Sequence, residues 1–342
     1  MKMIRMYLAA VTISVVVVAE VEFVAFGDWG EAKTEGLSQT MEMVDKTCPN
    51  RDFTILLGDN FYPGGVATSS DPKFKLLFED IVTGKNGKGK PHYTILGNHD
   101  YMQNVDAQIE YSALNPDWVM PAKYYSKIFE KDDVVLCLIF TDTVEMTDDQ
   151  IKWIDDELTN QPLCADPESW RIVSGHYPIY SAGAYGDDDL MKKSLLPILT
   201  KHKVHLHLSG HEHLQQVFSD GKITTLVSGA VGRTRAKLGR WRKHDHFVWG
   251  FSGEESTGFM QFIVNEKQIK INFVSSLTKN SGNHLAEFFV NKSSPGVIET
   301  APNHIVPDLA ASNPSTNSPS DNGEVLPTLL FFVVSIPLLL GF

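Results

Sequence analysis

Five short blocks carry the residues that could do chemistry: GDWG at 27–30, GDNFY at 58–62, GNHD at 97–100, GHYP at 175–178 and GHEH at 210–213. They gather Asp, Tyr, Asn and His in the mixture that two adjacent metal ions need. Carboxylate and amide oxygens suit hard cations, imidazole suits Zn, Fe, Cu and Ni, and a phenolate favours a trivalent ion such as Fe(III). Asp59 has two carboxylate oxygens with which to bridge two ions, and Asn60 and Tyr62 stand in the same block. His211 and His213 are separated by one residue, so the pair can turn towards different metals from one loop. A single Gly-Asp at a strand end is ordinary turn chemistry; five such blocks in one chain are not.

The elements that must position these blocks are legible beside them. Apolar or alternating runs of strand length at 23–26, 53–57, 93–96, 171–174 and 204–209 each stop where a block begins. Every block therefore stands at the carboxyl end of a strand, where open α/β sheets bind their ligands. Helices are predicted over 36–46 and 74–82, between strand blocks, as parallel crossovers require. Thr147 and Gln150 read as a capping box ahead of a helix over 151–158, with Ile151, Ile154 and Leu158 on one face. The late runs 223–231, 260–264 and 269–274 lack long intervening helices and predict antiparallel strands of a second sheet. The fold class is α/β.

The longer stretches FGDWG, LGDNFYPGG, LGNHDY and SGHYP resemble the small, tartrate-resistant type of purple acid phosphatase within the calcineurin-like metallophosphoesterases, over about residues 21–290. The resemblance implies a four-layer αββα sandwich of two mixed β-sheets flanked by helices. It also implies that Asp28, Tyr62 and His213 hold Fe(III), that Asn98, His176 and His211 hold a divalent Fe, Zn or Mn ion, and that Asp59 bridges them. The implied reaction is hydrolysis of phosphate monoesters by in-line attack of a metal-bound hydroxide, because paired cations lower the pKa of bound water and neutralise phosphate oxygens. His99 is the candidate general acid for the leaving group, with Asp100 placed to orient it. Where the family carries a second histidine near the substrate, this chain reads SAGAYGDDD, with Tyr185 at that place. The rival reading is a membrane-anchored docking protein on the same fold, like the glideosome-anchoring proteins, with little activity.

Other histidines and Trp29 have plainer readings. His205 and His207 lie on one face of a strand several residues short of the loop, and His92 and His202 lie at strand entries; all four read as structural. Trp29 either walls the pocket or packs.

The formal charge of −12 makes nucleic acid a poor partner. The one basic stretch, 233–246, is a candidate for receiving substrate or a protein partner. Lys2 and Arg5 before an apolar run give residues 1–19 the order of a secretory signal peptide. Residues 20–290 are then the catalytic domain, 291–324 a disordered Ser/Asn/Pro-rich stalk, and 325–342 an apolar tail read as a GPI-attachment signal or membrane anchor. These ends predict an extracellular or surface-anchored chain, and Asn291-Lys292-Ser293 is a glycosylation sequon consistent with it. Of three cysteines, Cys137 reads as a buried thiol, and Cys48 and Cys164, each a few residues before a strand, can pair.

Overall fold

Two sheets, their central strands buried on both faces, set the architecture. The computed structural model describes residues 20–31, 35–232, 244–251, 257–276 and 284–301. In chain order the first half runs β1 (Val21–Phe26), α1 (Glu35–Thr47), β2 (Phe53–Leu56), an unlabelled π-helix (Phe74–Val82), β3 (His92–Thr94), α2 (Val105–Tyr111), β4 (Trp118–Val119), β5 (Tyr125–Lys131) and β6 (Val134–Phe140). Next come α3 (Asp148–Asn160), α4 (Pro162–Ala165), β7 (Trp170–Ser174), α5 (Asp189–Lys201), β8 (Leu206–Ser209), β9 (Gln215–Ser219) and β10 (Thr224–Ser228). The last described elements are β11 (Phe247–Phe251), β12 (Gly258–Val264), β13 (Gln268–Ser275), β14 (His284–Asn291) and β15 (Ile298–Thr300).

The first sheet has the order β15-β14-β13-β12-β1-β2-β3-β4 and the second β11-β9-β10-β8-β7-β6-β5. Strands β1 to β4 are parallel, as are β6, β7, β8 and β10, while the strands outside them run antiparallel. Both sheets are thus mixed, with helices on their outer faces. Side-chain alternation on β6 shows how the layers are glued. Leu136, Leu138 and Phe140 join the core between the sheets, while Cys137 and Ile139 face the outer cluster with Ile154 and Leu158 of α3 and Leu195 and Leu199 of α5. In the first sheet Phe23 stacks on Phe53 at 4.7 Å and on Phe262 at 4.4 Å, a cross-strand aromatic ladder in register over β12, β1 and β2.

Several expectations change. Of the late runs, only Thr224–Ser228 joins the second sheet; β12 and β13 extend the first, because β12 returns to the open edge of β1, with Phe262 opposite Phe23. Ordered chain continues past 290: β15 pairs with β14, so residues 291–301 are not stalk. Thr147 caps α3, its hydroxyl accepting the Gln150 N–H at 3.2 Å, yet the Gln150 side chain completes no box; it binds the backbone N–H and carbonyl of Asp142 instead. The disulfide joins Cys137 to Cys164, and Cys48 is a buried free thiol. Cys48 packs in the cluster of the first sheet and Cys164 beneath the second, so their matching positions before a strand belong to different layers. Closing a loop of sequence separation 27 is worth about 3.5 kcal/mol by the chain-entropy relation. Reduction is expected to lower the unfolding free energy by about that amount, read from urea denaturation with and without reductant.

The expected leader (1–19), the segment 302–342 with its tail, and residues 233–243 of the basic stretch lie outside the described residues. No helix among the described residues is long and apolar enough to cross a membrane.

Candidate metal centre

All five blocks arrive at one place. Asp28 follows β1, Asp59 follows β2 and Asn98 follows β3 on the first sheet; His176 follows β7 and His211 and His213 follow β8 on the second. The carboxyl ends of the two sheets are stitched together here. The His211 N–H donates to Asp28 Oδ2 at 2.8 Å, and His176 Nδ1 lies 2.8 Å from the Leu57 carbonyl. Gly58, at φ +87°, is required by close approach as well as by its backbone, since a Cβ there would stand 2.7 Å from His176 Nδ1. Asp28 (φ 58°), Asp59 (φ 52°) and His211 (φ 67°) themselves occupy the left-handed region, which non-glycine residues seldom visit.

The donor atoms converge. Asp28, Asp59 and His176 each offer an atom within 4.8 Å of the others. The Tyr62 hydroxyl lies 2.8 Å from Asp59 Oδ2, 3.1 Å from Asp28 Oδ1 and 3.4 Å from His213 Nε2. His176 Nε2 is 3.2 Å from Asn98 Oδ1 and 3.5 Å from Asp59 Oδ1, and His213 Nε2 is 3.3 Å from Asp28 Oδ1. The imidazole of His211 lies against that of His176, centroids 5.2 Å apart.

The electrostatics fit cations. Asp28 and Asp59 are 1% and 2% exposed, and among the described residues their ion-pair partners are histidines. Burial pushes the Asp59 carboxyl up, but His176, the His99 N–H and the Tyr62 hydroxyl outweigh it and hold it below the usual range. Burial, then the charges of Asp28 and Asp59, push the Tyr62 phenol far above its ordinary value. Burial works to lower His176, yet Asp59 leaves it raised to about 9, while burial and then His176 hold His211 at about 3. Two buried carboxylates, a phenol that their charge keeps protonated, and imidazoles turned towards them form an anionic cage that a cation would stabilise by displacing protons. With Nδ1–H of His176 donated to Leu57, its Nε2 lone pair faces the cage, as a ligand must.

His99 and Asp100 part company. His99 is a quarter exposed at the rim, with Nε2 4.0 Å from Asp59 Oδ2 and Nδ1 2.6 Å from the Pro63 carbonyl. Pro63, not Asp100, orients it. Asp100 is fully buried and accepts from the N–H groups of Gly97 (2.8 Å), Asn60 (3.1 Å) and Phe61 (3.3 Å) and from Gln108 Nε2 (2.9 Å). It ties the GDNFY and GNHD loops to α2, so its role is structural. Burial, then Asp59, raises its carboxyl to about 6.

Trp29 packs: it is buried, its Nε1 donating to Asn60 Oδ1 at 3.1 Å and its ring meeting Phe61 edge-on. His205 accepts the Arg171 N–H at 3.0 Å, and His207 is buried on β8, its Nε2 facing Gly175, where a Cβ would stand 3.6 Å from it. His92 sits 3.0 Å from the Lys90 carbonyl, and His202 pairs with Asp155 at 2.6 Å. Asn60, read from the sequence only as a neighbour of Asp59, is a positioning group, as are Gln108, Asp142 and Glu212, which sequence reading missed. Asp142, buried beyond the end of β6, binds the Tyr101 hydroxyl and so links the second sheet to the loop of His99. Its signal was available: TDT at 141–143 closes an apolar run, as the five blocks do.

Comparison with known proteins agrees with this geometry. Residues 21–215 match the family model described as calcineurin-like phosphoesterase. The chain is 30% identical over 291 residues to tartrate-resistant acid phosphatase type 5 of Sus scrofa, covering 75% of this chain and 84% of that protein. It is 28% identical to purple acid phosphatase 4 of Arabidopsis thaliana, covering 80% and 84%. Among solved structures, GAP50, described as the anchor in the inner membrane complex of Plasmodium, superposes with a TM-score of 0.69 at 25% identity, covering 80% of this chain and 89% of that one. The purple acid phosphatase PPD1 of yellow lupin shares the fold, with a TM-score of 0.60 at 15% identity, covering 80% and 54%. The chain belongs to the calcineurin-like phosphoesterases, in the branch of the tartrate-resistant and purple acid phosphatases.

Proposed function

We propose that this protein is an acid phosphatase that hydrolyses phosphate monoesters at a paired metal centre. The observation that supports the reading is the meeting of Asp28, Asp59 and His176 within 4.8 Å across two sheets, with the Tyr62 hydroxyl within 3.1 Å of both carboxylates. Asp28, Tyr62 and His213 would hold Fe(III), Asn98, His176 and His211 a divalent Fe, Zn or Mn ion, and Asp59 would stand between. When bound, such a pair ionises water near neutral pH and screens the phosphoryl oxygens. The residues do the rest. Asp59 spans the two halves of the cage, and the His99 N–H fixes its Oδ1 at 2.8 Å. The Pro63 carbonyl takes the Nδ1–H of His99, so only the protonated imidazole carries a proton on Nε2, the atom turned to the cage. That proton is the one to give to a leaving alkoxide. Residues 1–19 and 325–342 would place the enzyme in the secretory pathway, anchored at a surface.

The likeness to GAP50 supports a second reading, a docking protein on the same fold. Metal analysis with a visible absorption spectrum separates the two. The phosphatase reading expects about two ions per chain, a tyrosinate-to-iron band, and phenyl phosphate hydrolysis that is lost with the metal. A folded protein with no metal and no turnover would favour docking.

A further inference from the structure

The loop 181–187 sets an aromatic ring at the mouth of the cage. Tyr185 is 68% exposed. One face of its ring lies on the imidazole of His211, centroids 4.6 Å apart and planes within 24°, and Tyr177 meets the same imidazole edge-on at 4.5 Å. Leaving so large an apolar surface in water gives up burial that would favour the fold.

The loop is nevertheless held hard. Glu212, between the two cage histidines, is 1% exposed and accepts from the Ser181 hydroxyl (2.8 Å) and from the N–H groups of Ala184 (3.2 Å) and Tyr185 (2.8 Å). Gly183 lies so close that a Cβ there would come within 2.4 Å of that carboxylate. The Ser181 N–H also donates to Asp187 within the loop at 3.0 Å, and the Ala182 N–H to the buried Gln216 of β9 at 2.7 Å. A buried carboxylate is costly unless its hydrogen bonds are made. Here those bonds fix the backbone beneath an exposed ring.

We propose that Tyr185 is a leaving-group platform, on which the planar ring of an aryl or nucleoside phosphate stacks while its phosphoryl group enters the cage, and that Glu212 is the positioning residue that keeps the platform in place. The inference rests on the phosphomonoesterase reading and names its substrate class. Stacking on an aromatic side chain is worth about five- to tenfold in binding, and an alkyl phosphate gains none of it.

The test compares kcat and KM for phenyl phosphate, adenosine monophosphate and glycerol phosphate in the wild type, Tyr185→Ala, Tyr185→Phe and Glu212→Gln. Tyr185→Ala is expected to lower the ratio of kcat/KM for aromatic over glycerol ester about five- to tenfold, through KM. Tyr185→Phe keeps the ratio, and Glu212→Gln lowers it in the same direction. An unchanged ratio in Tyr185→Ala, or an equal fall in Tyr185→Phe, overturns the platform. Calorimetric titration reads the same proposal without turnover: the wild type binds adenosine monophosphate more tightly than inorganic phosphate, and Tyr185→Ala loses that preference. A wild type that hydrolyses none of the esters refutes the phosphatase reading, while equal affinity for the two ligands in the titration refutes the platform.

Discussion

Asp59→Asn is expected to leave the fold intact while lowering kcat/KM for phenyl phosphate by more than about a hundredfold, with bound metal falling in parallel. Losing a group that only supports a metal ligand typically costs 10–100-fold. Asp59 stands nearer the centre than that. Its Oδ1 accepts the His99 N–H at 2.8 Å and lies 3.5 Å from His176, while its Oδ2 accepts the Tyr62 hydroxyl at 2.8 Å. Asparagine keeps the shape and can still accept from His99, so circular dichroism should match the wild type. The lost negative charge removes one of the two buried carboxylates from the cage. A variant that retains full metal and full turnover would remove Asp59 from the centre and take the proposed mechanism with it.

His99→Ala is expected to lower kcat by about 10²-fold or more, the usual contribution of a positioned proton donor. The loss should be larger for glycerol phosphate than for phenyl phosphate, because a phenolate leaves with less help than an alkoxide. Metal content should stay near that of the wild type, since the groups around Asp59 and His176 keep their other partners. The imidazole touches the Tyr62 ring at 4.3 Å and the Pro63 carbonyl, so its removal leaves a rim defect rather than a core cavity. Steady-state kinetics on the two esters checks the split; an equal loss on both would make His99 a binding group instead of an acid.

The contrast between what was legible and what was not follows from range. Each of the five blocks announces itself locally, by a strand-length apolar run that stops at a Gly and a ligand-type residue, and Asp28, Asp59 and His176 from three of them meet within 4.8 Å. Strand partners are a different kind of fact. That Phe262 lies against Phe23 depends on a pairing across 239 residues, which no local pattern encodes, so β12 and β13 were expected in the wrong sheet. The cysteines failed for the same reason: Cys48 and Cys164 share a place relative to the next strand, but the layer each occupies is set by topology. Asp100 misled in another way. Adjacency to His99 suggested a partner, yet at a loop the backbone turns successive side chains apart, and the carboxylate serves the N–H groups of two loops.

The left-handed backbone at Asp28, Asp59 and His211 sets the stability of this chain against its cage. Each such conformation costs roughly 1 kcal/mol or more outside glycine, and the three sit within a few ångströms of one another. Against the narrow margin by which a domain stays folded, that is a standing liability, and glycine at any of the three would ease it. Relaxing the main chain there would remove a side chain of the cage in the same stroke, so firmness of fold and the proposed chemistry pull against each other at these positions.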